Sequence, residues 1–189
     1  MEPLGKLTCS SHACERDLHC FLRRRPRDKS YRNGRCVACD VDLIDWERID
    51  KHDLGDASYT IRALEHELVR HAYWHKPLDD RALERAWKRG LVVLRQEAEK
   101  RIHTSVGPPR SEIFRDGTQT PTSGNVLYYA QHATATCCRR CIEAWHGIDR
   151  NRRLTGTEES YMVELVMLYV SRRLPELTAD SGELPHPPR

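Results

Sequence analysis

The chain has 189 residues, 39% apolar and 31% charged, with eight cysteines, a formal charge of +3 and a mean hydropathy of −0.71. That composition leaves a thin core for the length, and no stretch approaches the roughly twenty apolar residues of a membrane span. The start, Met-Glu-Pro-Leu-Gly-Lys-Leu-Thr-Cys, has no apolar core, so no signal peptide is expected and the expected compartment is the reducing cytoplasm.

Residues 1–56 read as a first unit with segregated charge. Arg16 to Arg35 is basic and includes Arg23, Arg24 and Arg25; Asp40 to Asp56 is acidic. Tyr31-Arg-Asn-Gly-Arg predicts a hairpin turn, because Asn-Gly accepts positive φ. It delivers the chain to Cys36-Val-Ala-Cys39, whose two-residue gap lets one tight turn present two sulfurs to one ion. The other half of a site would come from Cys14 with His19 or Cys20, and Cys9 reads as the spare. Leu18-His-Cys-Phe and Gly34-x-Cys36-x-x-Cys39 look generically like a zinc ribbon or treble clef.

Residues 57–105 predict an antiparallel helical hairpin. Ala57, Ile61, Leu64, Leu68 and Ala72 share one helical face after an Asp56 cap, and Lys76-Pro77 ends that helix. Asp79 or Asp80 caps the second helix, whose buried face carries Leu83, Ala86, Trp87, Leu91, Leu94, Ala98 and Ile102. His66, His71 and His75 lie on the first helix. The stretch His66-Glu-Leu-Val-Arg-His71 has its histidines five apart, which is the wrong spacing for a zinc-protease helix.

Residues 106–177 predict a strand–metal knuckle–helix module. A turn-rich loop leads to Val126-Leu-Tyr-Tyr-Ala, which has strand composition. Next comes the densest run of soft ligands: His132, Cys137, Cys138, Cys141 and His146. Cys138 and Cys141 are the firmest pair, His146 follows by about one helical turn, and His132 or Cys137 would complete a tetrahedron. Thr155-Gly-Thr-Glu158 is a capping box for a last helix, and residues 178–189 are expected to be disordered. The fold class expected is therefore α+β, predominantly helical.

The segment Asp116-Gly-x-Gln119-Thr-Pro121, followed by Gln131-His-Ala-Thr-Ala-Thr-Cys-Cys-x-x-Cys141-x-x-x-Trp145-His146, resembles a small bacterial and archaeal family known only as a domain of unknown function. The likeness runs from about Arg115 to Leu174. It implies that Gln119, His132, Cys138, Cys141 and His146 belong to a family signature.

Two zinc ions follow from the two clusters, with an iron–sulfur cluster as the less favoured occupant. Three functions compete. A non-enzymatic adaptor would contact nucleic acid through Arg23, Arg24, Arg25, Arg139 and Arg140, or serve protein contacts. A metal-dependent hydrolase of nuclease type would keep one open metal position, with Gln119, Thr134 and Thr136 nearby and Glu143 or His146 as base. A thiol redox switch would use Cys137, Cys138 and Cys141.

Overall fold

A computed structural model describes residues 7–21 and 34–180. The protein is built from helices: α1 Trp46–Asp50, α2 Ala57–Glu65, α3 Leu68–His75, α4 Asp80–Arg101, α5 Val126–Ala133, α6 Arg139–His146 and α7 Gly156–Arg173. Among the described residues there is no strand. Strand-like pairing is limited to two isolated bridges, Ala13 with Leu18 and His19 with Glu67. The expected α+β class is thereby corrected to an all-helical one.

The error lies at Val126-Leu-Tyr-Tyr-Ala, which is the start of α5. Asn125 caps it, its side chain accepting from the Leu127 N–H at 3.0 Å. Val126, Leu127, Tyr129, Ala130 and Ala133 are all buried, so the segment is apolar around most of its circumference. A short run of that kind carries no period that separates strand from buried helix. The asparagine cap was the available signal.

The predicted hairpin is also altered. Its first helix breaks at His66–Glu67 into α2 and α3, where Glu67 turns extended (φ −93°, ψ 124°). The break frees backbone for the arm: the His19 N–H donates to the His66 carbonyl at 2.7 Å and the Leu68 N–H to the His19 carbonyl at 3.0 Å. α3 packs chiefly on α5, and α4 packs on α5 and α7, so the two predicted hairpin partners lean on a common third helix. α4 kinks at Gly90 (φ +69°), where a Cβ would strike the Asp180 carbonyl at 2.4–2.5 Å. There Leu91 and Val92 donate to the Thr178 and Ala179 carbonyls at 2.9 and 3.1 Å. Of the tail expected to be disordered, residues 178–180 are therefore seated; 181–189 lie outside the described residues.

Two apolar centres result. The larger unites α2, α4, α5 and α7 around Ile61, Leu94, Tyr129, Met162 and Val166. The smaller contains Phe21, Ile49, Leu64 and Trp145 together with Cys36, Cys137, Cys138 and Cys141. Phe21, Trp46 and Trp145 stack edge to face or tilted, with centroids 5.2–6.5 Å apart, between the two cysteine groups. Gly34 (φ +85°) admits Trp46: its carbonyl accepts the indole N–H at 2.9 Å, and a Cβ there would collide with the ring. The rest of the predicted hairpin turn, residues 31–33, lies outside the described residues. No described helix is long and apolar enough to cross a membrane.

Candidate metal centres

Cys14, His19, Cys36 and Cys39 converge, with their ligand atoms all within 4.8 Å of one another. The arm supplies the first two and the turn after Gly34 the others. In that turn the Asp40 N–H donates to the Cys36 carbonyl and the Cys36 N–H to the Val41 carbonyl, both at 3.0 Å, with Asp40 left-handed at φ +66°. The Val37 N–H reaches the Cys20 carbonyl at 3.0 Å and so ties the turn to the arm.

The spacings fit an ion. Two sulfurs each ~2.3 Å from one tetrahedral zinc lie ~3.8 Å apart, and a sulfur and an imidazole nitrogen ~3.5 Å apart. Cys14 and Cys36 Sγ are 3.7 Å apart, and Cys39 Sγ is 3.4 Å from His19 Nδ1. A disulfide, by contrast, needs ~2.05 Å. The other imidazole nitrogen, Nε2, donates to Asp17 Oδ1 at 3.0 Å. A carboxylate in that place fixes the tautomer that leaves Nδ1 free to ligate. The same hydrogen bond, with His66 Nδ1 at 3.4 Å, holds the Asp17 carboxyl below its usual range. Burial pushes the Cys36 thiol up, but backbone N–H groups at Cys20, Cys39 and Ala38 bring it down to about 6, the thiolate form a metal requires. Cys20 is not part of this group; its buried thiol donates to the Cys9 carbonyl at 3.3 Å.

At the second site Cys137, Cys138 and Cys141 are buried, with sulfurs within 4.8 Å of one another. Cys138 caps α6, its Sγ accepting from the Cys141 N–H at 3.4 Å. Hydrogen bonds from Cys137 and Cys141 hold its thiol down to about 3. α6 stops at Gly147, which is left-handed at φ +67°.

The histidines flanking this group point elsewhere. His132 Nε2 faces the Thr120 and Pro121 carbonyls, each at 3.2 Å, and its ring stacks on Tyr73 at 4.4 Å. Burial, then the nearby Arg70 charge, lowers its pKa to about 4. His146 is buried with Nε2 3.1 Å from the Thr134 carbonyl.

The polar signature residues build the frame of the site. Gln119 stitches its own loop: Oε1 accepts from the Gly117 N–H at 2.8 Å, and Nε2 donates to the Phe114 and Arg115 carbonyls. Gln131 accepts from Arg101 and donates to the Thr136 carbonyl at 3.1 Å. Thr120 donates to the Cys137 carbonyl at 2.9 Å, and Thr134 to the Ala130 carbonyl at 2.8 Å. The connection between α5 and α6 is thus held from both sides through its left-handed residue Ala135 (φ +57°).

Arg139 and Arg140 have different fates. Arg139 is fully buried and donates to the Val106, Asp149 and Arg152 carbonyls at 3.2, 2.7 and 2.9 Å. It is not available to phosphate. Arg140 is exposed at the rim of a cleft of about 750 Å³ whose wall includes the three cysteines, Tyr73 and His132. Arg23, Arg24 and Arg25 lie outside the described residues.

Sequence reasoning missed a buried pair beneath the second site. Arg70 Nε donates to Glu67 Oε2 at 2.9 Å, Nη1 to the His132 carbonyl at 2.8 Å and Nη2 to Cys141 Sγ at 3.4 Å. The Trp145 indole donates to the same Glu67 oxygen at 2.6 Å. Glu67 and Arg70 look like a surface i,i+3 pair in sequence; only the break before α3 places them inside. Asp17 was missed as well, although a carboxylate two residues before a candidate ligand histidine was a readable hint.

No solved structure matches this chain. A family model described as Domain of unknown function (DUF4186) matches residues 58–171, a wider span than the 115–174 likeness, because it takes in α2 to α4 and so includes Glu67 and Arg70. With well over half its length inside that match, the chain belongs to the DUF4186 family, whose matched region contains the second cysteine group and leaves the first outside.

Proposed function

We propose that the protein is a zinc-binding module that works by binding a partner rather than by catalysis, with one ion at Cys14, His19, Cys36 and Cys39 and another at Cys137, Cys138 and Cys141. One observation carries this reading: the first group has the 3.7 and 3.4 Å spacings of a tetrahedral N/S site and an aspartate on the far nitrogen of its histidine. Four protein donors close that site to substrate.

Nucleic acid remains the partner this reading favours; of the two knuckle arginines it would use Arg140, since Arg139 is used internally. The cleft beside the three thiols favours the second reading, a metal-dependent hydrolase with an open coordination position. Against it, Glu143 is paired with Arg150 at 3.2 Å, and Gln119, Thr134 and Thr136 hold the frame instead of facing a substrate. Elemental analysis of the purified protein tests the proposal. Two zinc per chain is expected, with Cys36→Ser reducing it to one; a metal-free folded protein would overturn it.

A further inference from the structure

The second group holds three sulfurs, one short of a tetrahedral set, and the candidates for the fourth place can be compared on their geometry. His132 presents Nε2 to two carbonyls and stacks its ring on Tyr73. His146 directs Nε2 to the Thr134 carbonyl. Glu143 is held by Arg150. Cys9 remains. It packs against the core that contains Cys137, Cys138 and Cys141 and shares the cleft wall with them.

We infer that Cys9 is the fourth ligand of the second site, so that the N-terminal arm closes a four-thiolate zinc centre with Cys137, Cys138 and Cys141. This rests on the zinc reading above and deepens it.

Cys9 is held in place for this. The Cys20 thiol anchors its carbonyl at 3.3 Å. A turn over Thr8 to Ser11 frames it: the Ser11 N–H donates to the Thr8 carbonyl, and the Thr8 N–H to Ser11 Oγ, both at 3.0 Å. Four thiolates around Zn²⁺ leave a net charge of −2, costly beside a buried core. The guanidinium of Arg70, 2% exposed, donates to Cys141 Sγ, and Arg140 stands at the rim, so cationic groups already meet that charge. The arm then joins both ions, Cys9 at one and Cys14 five residues later at the other. A single short segment is fastened to two places in the fold.

Zinc retention and thiol protection test the assignment. The full-length zinc-loaded protein is challenged with a chelator, as wild type, Cys9→Ser and Ser10→Ala. Cys9→Ser should lose one of its two ions roughly tenfold faster or more. Ser10→Ala, on the same arm, should match wild type. Iodoacetamide followed by mass spectrometry should find Cys9 protected in the two-zinc protein and alkylated after chelation. Wild-type retention of both ions in Cys9→Ser, or alkylation of Cys9 at the rate of a free thiol while two zincs are bound, would overturn the assignment and leave the zinc reading standing. A protein that binds no zinc would overturn both.

Discussion

The two cysteine groups sit in contrasting surroundings. Around Cys14, His19, Cys36 and Cys39 the described chain is almost devoid of regular structure. Apart from cysteines it buries only Leu18, Phe21 and Ile44 as apolar side chains before α1. Around Cys137, Cys138 and Cys141 the chain is helical, and α6 would be placed even without an ion, through Ile142 and Trp145 in the apolar centres. On the proposed zinc reading, ligand bonds would substitute for burial where a segment lacks apolar area, and would be added to an already folded site where the area exists.

The largest effect expected from that contrast follows metal removal. Structural zinc contributes on the order of 10–16 kcal/mol at sites of this type. Chelation should release residues 7–21 and 34–45 to limited proteolysis, with trypsin cutting after Arg16 and Arg35, while far-UV circular dichroism keeps most of the helical signal. Loss of the helical signal together with the arm would break the comparison, showing that the helices also depend on the ions.

The next effect concerns the join between the regions. Glu67 is 0% exposed, and its backbone pairs with the arm next to His19. Removing Arg70 leaves that carboxylate buried without its cation, a change that costs about 3–5 kcal/mol when a buried pair is broken on one side. Arg70→Met should lower urea stability by that amount, and adding Glu67→Gln should recover much of it. If the double variant is no more stable than the single, Arg70 acts mainly through Cys141 and the His132 carbonyl.

Much of the helical region was legible in the sequence, and the reasons can be named. The caps Asp79 and Thr155, the αL stop at Gly147 and the apolar period of α7 are local signals, readable without tertiary context. The first cysteine group was legible to one ambiguity: His19 and Cys20 are neighbours, and only the turn that directs Cys20 to the Cys9 carbonyl separates them. The fates of His132 and of Cys9 were not legible. Spacing along the chain placed His132 near the knuckle, but the carbonyls of Thr120 and Pro121 that face its ring come from a loop whose path no local rule supplies. Cys9 lines the same cleft as Cys141 although more than a hundred residues of chain separate them. The buried Glu67–Arg70 pair depended on a helix break that the apolar period ran through without a mark.

The smallest effect sharpens the contrast from the helical side. Thr155 Oγ1 accepts from the Glu158 N–H at 3.3 Å, Glu158 Oε2 accepts from the Thr155 N–H at 2.8 Å, and Arg152 grips the same carboxylate. Burial opposes ionisation of Glu158, but the Arg152 and Thr155 hydrogen bonds outweigh it and hold its pKa down to about 2, from 4.5. A depressed carboxyl pKa adds stability that is complete above the unfolded value and lost as pH falls through the folded one. Stability should therefore decline between about pH 4.5 and pH 2 through this group. Thr155→Ala should cost about 1 kcal/mol at neutral pH and flatten that decline. Because the cap lies at the start of α7, zinc content at neutral pH should be unchanged. A variant that lost zinc would show that the helical region and the ions are one cooperative unit, and the distinction between the two regions would not hold.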